Sequence, residues 1–439
     1  MKGFPLHKGG GTFKKEVVDI VSLVGTNPLP VFVSVARLSQ RYVVRNIYLV
    51  CSEQSMTQSG TIETGKRLKK FFQQKLGLAD CSCISISDVS RKSEIDLVID
   101  EWLSKHTTED TCVHLDYTGG TKAMSVHSHE FIRERLGKRA TFSYLDARTH
   151  SLFFDNELPG FADLRHDIFI SIEELLELHG YELKEVHKET GEFLDTLLVL
   201  KNQVDQGSIK RFLKDWKDKL RPMYKEEESG IIQKASVFRR RIEDDHQIAS
   251  IAKNIPANLS EETLAVLSAL PDDRKLLDGY GCLLRPTEES NREFRNRASK
   301  SAEFLDGKWL ELIVLDAIPD ELEGEPIASG ANLVAHRPDL PQFELDVYAM
   351  RGYQLLAIST TTHDRIPLCK SKGFEVILRA RQIGGDESKA MLVTCLGQPE
   401  CQILEESLAF DTGASRKSFI VCGIDDLVSL SERIKYLLE

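Results

Sequence analysis

Residues 115–124 read LDYTGGTKAM and follow the short apolar run TCVH at 111–114. A β-rich apolar run followed by polar residues and two glycines predicts a buried strand that ends in a tight loop. Thr121 and Lys122 then stand where a helix is expected to begin, so the order is strand, glycine loop, helix. Ligands of parallel α/β sheets bind outside the carboxyl ends of the strands, where this loop falls.

The segments around this stretch repeat the alternation of strand and helix. VVDIVSLVG at 17–25 is apolar almost throughout, as expected of a strand buried on both faces of a parallel sheet. Further strands are predicted at 45–52, 81–87, 111–117, 139–147 and 151–155, and helices at 31–38, 64–77, 94–105 and 121–137. The sequence therefore predicts a Rossmann-like α/β domain over residues 1–165.

Residues 166–300 change character and predict a charged, mostly helical connector. Ser171 and Glu174 form a capping box at its start, and Ser260 is the expected N-cap of a helix over 258–275. Residues 301–439 return to an α/β pattern. A buried helix is predicted at 307–318, strands at 342–350, 353–360, 389–396 and 418–423, and helices at 368–385 and 425–439.

The composition is that of a soluble globular protein. Of 439 residues, 41% are hydrophobic and 28% are charged, and no apolar run approaches the roughly 20 residues that span a membrane. The nine cysteines show no CxxC spacing, which argues against a disulfide framework or a zinc site and predicts a cytoplasmic protein. The net charge of −11 disfavours non-specific binding to nucleic acid, but it does not exclude a local basic groove.

Two polar loops are expected at one edge of the first sheet, because GTNP at 25–28 follows the first strand and DYTGGTK at 116–122 follows the fourth. Glycines let a ligand approach the backbone, and a helix N-terminus with an adjacent lysine favours a phosphate. The candidate ligand-binding residues are Gly25, Thr26, Asn27, Thr118, Gly119, Gly120, Thr121 and Lys122. The alternative is a tight turn with a solvated lysine. SEQSMTQSG at 52–60 would add hydroxyls to the same edge.

The runs SLVGTNPLP, YLVCSEQSMTQSG and LDYTGGTKAM resemble the CARF domain, the sensor of cyclic oligoadenylates in type III CRISPR defence. The resemblance implies a homodimer that binds one cyclic ligand across its two-fold axis, with the residues above as the binding positions. Two-fold symmetry favours cyclic tetra-adenylate. In some members the same pocket cleaves the ring.

The C-terminal part resembles a PD-(D/E)XK nuclease-like domain. By this resemblance, GKWLEL at 307–312 supplies Glu311 and FELDV at 343–347 supplies Asp346 as catalytic ligands of Mg²⁺ or Mn²⁺. The family's Glu-x-Lys motif is missing, because ISTTT at 358–362 has Ser359 and Thr361 at those two positions. Either Lys370 or Lys372 would have to replace the motif lysine, and both count as candidate catalytic residues.

The resulting hypothesis is a cyclic oligoadenylate-sensing effector of antiviral defence whose second domain acts on DNA or RNA, with impaired catalysis. Nucleic acid would be bound through Lys370, Lys372, Arg379 and Arg381. Two alternatives stay open. One is a non-catalytic, ligand-controlled regulator or scaffold, and the other is a ring nuclease that cleaves the cyclic ligand in the first domain.

Overall fold

The computed structural model describes residues 15–54, 60–78, 80–155, 160–186, 191–226, 230–286 and 288–439. The chain forms two compact units. The first runs to Tyr181 and includes Gln382–Glu387, and the second comprises Glu182–Arg381 and Ser388–Glu439. The sequence analysis placed three parts, with boundaries near 165 and 300. The structure has two units because the connector helices bury their apolar side chains in the same core as the C-terminal strands, a core that runs from Leu200 to Leu438.

The first unit is built on a six-stranded sheet in the order β3-β2-β1-β4-β5-β6. Strands β1 to β5 are parallel, and β6 is antiparallel to β5. Its elements are β1 (Val17–Leu23), α1 (Leu29–Arg41), β2 (Val43–Ser52), α2 (Ile62–Phe71), β3 (Cys81–Ile86), α3 (Lys92–His106), β4 (Val113–Asp116), α4 (Lys122–Leu136), β5 (Ala140–Asp146), β6 (Ser151–Phe154) and α5 (Ile172–Leu178). The predicted capping box of Ser171 and Glu174 is present at the start of α5.

The second unit has a mixed sheet in the order β10-β11-β12-β13-β14-β15, with β7 paired to β11. The pairs β10–β11, β11–β12 and β12–β13 are antiparallel, and the pairs β13–β14 and β14–β15 are parallel. Its strands are β7 (Glu182–Val186), β8 (Lys225–Glu226), β9 (Gly230–Ile231), β10 (Glu321–Leu322), β11 (Glu325–Arg337), β12 (Leu340–Arg351), β13 (Gln354–Thr361), β14 (Lys389–Thr394) and β15 (Phe419–Cys422).

Helices occupy most of the rest of the second unit. They are α6 (Leu194–Asp205), α7 (Ile209–Asp215), α8 (Arg221–Tyr224), α9 (Ala235–Asp244), α10 (His246–Lys253), α11 (Ile255–Asn258), α12 (Glu261–Ser268), α13 (Asn291–Phe294), α14 (Lys300–Glu303), α15 (Trp309–Ala317), α16 (Ile366–Gly384), α17 (Gln398–Thr412) and α18 (Leu430–Leu438). Short 3₁₀ or π-helical turns lie at Phe72–Leu76, Gly137–Arg139, Leu164–His166, Trp216–Leu220, Asp272–Arg274, Arg295–Ser299, Phe304–Lys308, Gly385–Glu387 and Ile424–Ser429.

The predicted α/β fold class is confirmed, although individual elements differ from the prediction. The sequence analysis missed β7, β11 and α17, and it extended the helix over 258–275 seven residues beyond its end at Ser268. Strand β11 reads EPIASGANLVAHR, whose small and polar residues give no clear two-residue period. It is a strand because β12 and β7 satisfy its backbone on both sides. In the described part of the chain, no helix is long and apolar enough to cross a membrane.

Candidate ligand site and carboxylate cluster

The two glycine loops of the first unit meet at one edge of the sheet. Strands β1 and β4 are parallel neighbours, so the loops that follow them leave the sheet side by side. A Cβ atom on Gly119 would lie 2.1 Å from the Leu23 carbonyl oxygen and 3.0 Å from the Gly25 nitrogen. Gly120 has a φ of 77°, a left-handed conformation that favours glycine. Backbone therefore packs on backbone, and side chains at these positions would separate the loops.

The buried carboxylate of Asp116 fixes the second loop through hydrogen bonds. Its Oδ1 accepts hydrogen bonds from the Thr118 hydroxyl at 2.5 Å and the Thr118 amide at 3.3 Å, and its Oδ2 accepts from Ser22 Oγ at 3.2 Å. The Thr118 hydroxyl also accepts from the Leu145 amide at 2.9 Å. Burial raises the pKa of Asp116 to about 6. The hydroxyl and the amide of Thr118 are thus both engaged within the fold, where they fix the shape of the loop.

The Asn27 side chain is likewise used within the fold. Its Oδ1 accepts a hydrogen bond from the Leu29 amide at 3.0 Å, at the start of α1, and lies 3.0 Å from His179 Nε2. His179 is buried, and burial lowers its pKa to about 4, so the ring is neutral near pH 7. Asn27 therefore fixes the first loop onto α1 and α5.

Three of the predicted ligand residues present exposed side chains: Thr26, Thr121 and Lys122. Thr121 is the N-cap of α4, and its hydroxyl accepts a hydrogen bond from the Met124 amide at 3.2 Å. Lys122 is the first residue of this 15-residue helix. The helix start predicted from LDYTGGTKAM is therefore present, with a cation at the end where the helix dipole favours an anion. Residues 55–59 of the third predicted loop lie outside the described residues.

A polar network beside the second loop had escaped the sequence analysis. Asp155 accepts a hydrogen bond from the Tyr117 hydroxyl at 2.8 Å, and its other oxygen lies 2.7 Å from His129 Nε2. The Tyr117 and His129 rings also contact each other edge to face. Because these residues come from the loop, α4 and the end of β6, no local pattern indicates the contact. The network anchors the loop to α4.

In the second unit, a small cavity of about 130 Å³ lies beside Asp346. Asp346 and Ser359 lie next to each other on the neighbouring strands β12 and β13. The Asp346 Oδ2 accepts hydrogen bonds from the Ser359 hydroxyl at 2.8 Å and from the Thr360 amide at 2.7 Å. The cavity is lined by Glu344, Leu345, Asp346, Ile358, Ser359, Lys372, Glu375, Val376 and Arg379. Ser359, which stands where the resemblance expects a metal-binding Glu, therefore holds the Asp346 carboxylate.

Glu311 on α15 belongs to the same carboxylate cluster. Burial, and then the nearby carboxylates of Asp346 and Glu344, raise its pKa to about 7. Its Oε2 is buried and has no hydrogen-bond partner among the described residues. A divalent cation would neutralise this repulsion and satisfy that oxygen, so Glu311 and Asp346 fit two ligand positions. A third acidic ligand is not in place, since no described group of three or more His, Cys, Asp or Glu side chains is arranged to hold a metal.

The two candidate lysines lie in different places. Lys370 Nζ is 2.8 Å from both Ser407 Oγ and Asp411 Oδ2, and it does not line the cavity. Lys372, two residues further along α16, lines the cavity with Asp346. The helix repeat separates the two side chains, because residues two apart do not share a face.

The remaining candidate positions are occupied by local contacts. The Thr361 hydroxyl accepts from the His363 amide at 3.3 Å. Arg379 lies over the Phe343 ring at 4.8 Å and lines the cavity, while Arg381 donates to the Thr412 carbonyl at 3.0 Å. Of the cations named from the sequence, Lys372 and Arg379 are therefore the two at the cavity.

Comparisons with known proteins establish the fold. No protein-family model and no curated protein sequence matches the chain. Among solved structures, protein VC1899 from Vibrio cholerae is similar with a TM-score of 0.63 and 16% identity, over 95% of this chain and 97% of that protein. Can2 from Sulfobacillus thermosulfidooxidans, solved in complex with cyclic tetra-adenylate, is similar with a TM-score of 0.62 and 14% identity, over 95% of this chain and 99% of Can2. The chain thus shares its fold with both proteins over nearly its whole length.

Proposed function

We propose that the first unit binds a cyclic oligoadenylate and that the ligand controls a nuclease-like second unit that acts on nucleic acid in antiviral defence. The observation that carries this proposal is the contact between the two glycine loops. It sets the loop that contains Thr26 beside the loop that leads into Thr121 and Lys122, and the side chains of these three residues are exposed. The fold shared with Can2, which was solved with cyclic tetra-adenylate, supports this ligand class.

The chemistry of the loop edge suits a phosphodiester. The N-terminal end of a helix carries a partial positive charge, so a lysine there is unfavourable unless an anion is bound. A phosphate would offset the charge of Lys122 and accept hydrogen bonds from loop amides and hydroxyls. Glycine at positions 25, 119 and 120 lets the two loops pack closely and so keeps the loop edge together. These features explain why a Lys stands at a helix position that otherwise favours Asp or Glu.

We further propose that the protein works as a cytoplasmic homodimer. A ring of four identical nucleotides has two-fold symmetry, and a two-fold dimer offers the same loop edge twice to such a ring. Cyclic tetra-adenylate is therefore the ligand that we propose. Binding would shift the dimer towards the conformation that the ring binds more tightly. The size of the shift is set by the difference between the binding free energies of the ring for the two conformations.

The second unit would be the output domain, holding Mg²⁺ or Mn²⁺ through Glu311 and Asp346. Such a cation supplies an activated water and stabilises the leaving oxygen of a phosphodiester. Lys372 would take the place of the missing motif lysine and, with Arg379, contact the DNA or RNA backbone. Because Ser359 and Thr360 hold one Asp346 oxygen, we expect weaker catalysis than with an intact Glu-x-Lys motif. The same observation favours a second candidate, a regulator that binds nucleic acid without cutting it.

The first test is thermal unfolding with cyclic tri-, tetra- and hexa-adenylate and with linear controls. A ligand that binds only the folded state at 100 times its Kd stabilises it by about 2.7 kcal/mol, which raises the Tm by about 5–10 °C. Lys122→Ala should remove this shift. Lys138→Ala is the matched control, because Lys138 is also exposed and follows the other end of α4. No shift with any ring would refute the sensor proposal.

The second test separates the output activities. If Asp346→Ala abolishes ring-stimulated cleavage of DNA or RNA, the second unit is the nuclease. If the variant still cleaves the ring itself, the first unit is a ring nuclease. A wild-type protein that binds the ring and nucleic acid but cleaves neither would be the regulator.

A further inference from the structure

A row of aromatic side chains begins at the loop DYTGGTK and crosses the edge of the first sheet. Tyr117, the second residue of this loop segment, contacts the ring of Tyr144 on β5, with the ring centroids 5.6 Å apart. Tyr144 pairs directly with Phe153 on β6, and these two rings stack with their centroids also 5.6 Å apart. The three rings therefore connect the candidate ligand loop to the last two strands of the sheet.

The outer part of this row is accessible to solvent. Tyr144 is 37% exposed and Phe153 is 41% exposed, while Tyr117 is half-buried. Single exposed apolar side chains are common on protein surfaces, but neighbouring ones beside a candidate ligand site indicate a binding surface. Aromatic rings are well suited to this role, because they offer a large apolar face with little conformational entropy to lose.

The fold fixes this surface relative to the loop. The Tyr117 amide donates a hydrogen bond to the Ser143 carbonyl at 3.0 Å, and the Leu145 amide donates to the Thr118 hydroxyl at 2.9 Å. Ser143 and Leu145 are the two neighbours of Tyr144 in the chain, so β5 is attached to the loop on both sides of this residue. A ligand held at the loop would meet rings that are already in position, which lowers the entropic cost of binding.

We propose that Tyr144 and Phe153 form a stacking surface for an adenine of the cyclic oligoadenylate whose phosphate is bound at Lys122. Every nucleotide of such a ring carries both a phosphate and a base, and bases stack on aromatic side chains through their π-faces. The surface continues the loop edge through Tyr117, so its occupant is a base of the ligand held at that edge. This inference rests on the proposed ligand of the first unit and adds recognition of the base to recognition of the phosphate.

The test is the affinity of the full chain for cyclic tetra-adenylate, measured by isothermal titration calorimetry. Tyr144→Ile keeps an apolar residue that favours strands but removes the π-face, so the Kd should rise by about 5- to 150-fold, as expected for the loss of one stacked base. Tyr144→Phe keeps the ring and should bind like the wild type. Phe169→Ala is the matched control, because Phe169 is an aromatic residue of the same unit and is also 37% exposed. Its affinity for the ring should not change.

A fluorescent ring, in which 2-aminopurine replaces adenine, reports the stacking itself. With protein at saturating concentration, the emission of this ring should fall on binding to the wild type, because stacking quenches 2-aminopurine. The fall should be smaller with Tyr144→Ile and unchanged with Tyr144→Phe. The Tm of each variant without ligand shows whether it is folded, and light scattering gives its oligomeric state.

The possible outcomes separate this inference from the sensor proposal. If the wild type binds the ring and both Tyr144→Ile and Phe153→Ile bind it equally well, the stacking surface is overturned while the sensor proposal stands. If the variants bind weakly because they have changed oligomeric state, the surface is a contact between copies of the chain, and the inference is again overturned. If the wild type binds no ring, the sensor proposal fails and the stacking surface fails with it.

Discussion

Replacing Gly119 by alanine is the most direct test of the loop contact in the first unit. The added Cβ would lie 2.1 Å from the Leu23 carbonyl oxygen, 3.0 Å from the Gly25 nitrogen and 3.2 Å from the Leu23 carbonyl carbon. All three are backbone atoms, so no side chain can turn away to make room. Leu23 is fully buried at the end of β1, which prevents the strand end from moving outwards.

The size of the effect follows from this geometry. Even a close carbon–oxygen contact is about 3.3 Å long, so the loops must separate by about 1 Å. Inserting a methyl group into packed surroundings costs about 1–3 kcal/mol. For a unit of this size, each kcal/mol lowers the Tm by about 2–4 °C, so we expect a fall of about 2–12 °C. The displaced loop should also lose its response to cyclic tetra-adenylate.

The assay is thermal unfolding followed by circular dichroism, with and without the ring. Gly279→Ala is the matched control, because its Cβ would meet no atom of the described chain within 4 Å and its φ is not positive. We expect this control to unfold like the wild type and to keep the ligand response. If Gly119→Ala also unfolds within 1 °C of the wild type and responds to the ring, the two loops do not meet and the proposed site is wrong.

Two further predictions concern buried charges. Burial raises the pKa of Asp116 from its ordinary 3.8 to about 6, so the folded state holds this proton more tightly and the associated stability is lost as the pH rises from about 4 to about 6. Asp116→Asn should therefore gain about 3 kcal/mol relative to the wild type between pH 4 and pH 8 in urea unfolding, and parallel pH profiles would contradict this assignment. Arg351 is fully buried and pairs with Glu323 and Glu325, so Arg351→Met should lower the free energy of unfolding of the second unit by about 3–5 kcal/mol, and a change below 1 kcal/mol would show that the pairs contribute little.

The elements that local physics controls were predictable from the sequence. The stretch 115–124 contains a strand, a glycine loop and a helix start. Each has a local cause within a few residues: an apolar run, glycines that allow a positive φ, and a Thr that caps the helix. The capping box at Ser171 and the N-cap at Ser260 are local in the same sense. The sequence also placed two loops at one sheet edge, because parallel strands end on the same side.

Other features depended on partners that are distant in sequence. Strand β11 has no clear periodicity and forms because β7 and β12 pair with it, so the sequence alone did not predict it. The use of Thr118 and Asn27 inside the fold depends on Asp116, Leu145 and His179 being brought close.

The same limit applies to the carboxylate cluster. Lys370 and Lys372 are two residues apart on α16, so their side chains point in different directions. Lys372 lines the cavity and Lys370 pairs with Asp411, and which of them does so depends on how α16 packs. The sequence by itself therefore determined the elements and the residue types available at each strand end. The tertiary structure alone decided which side chains meet, because contacts between distant segments arise from packing and pairing that no local pattern records.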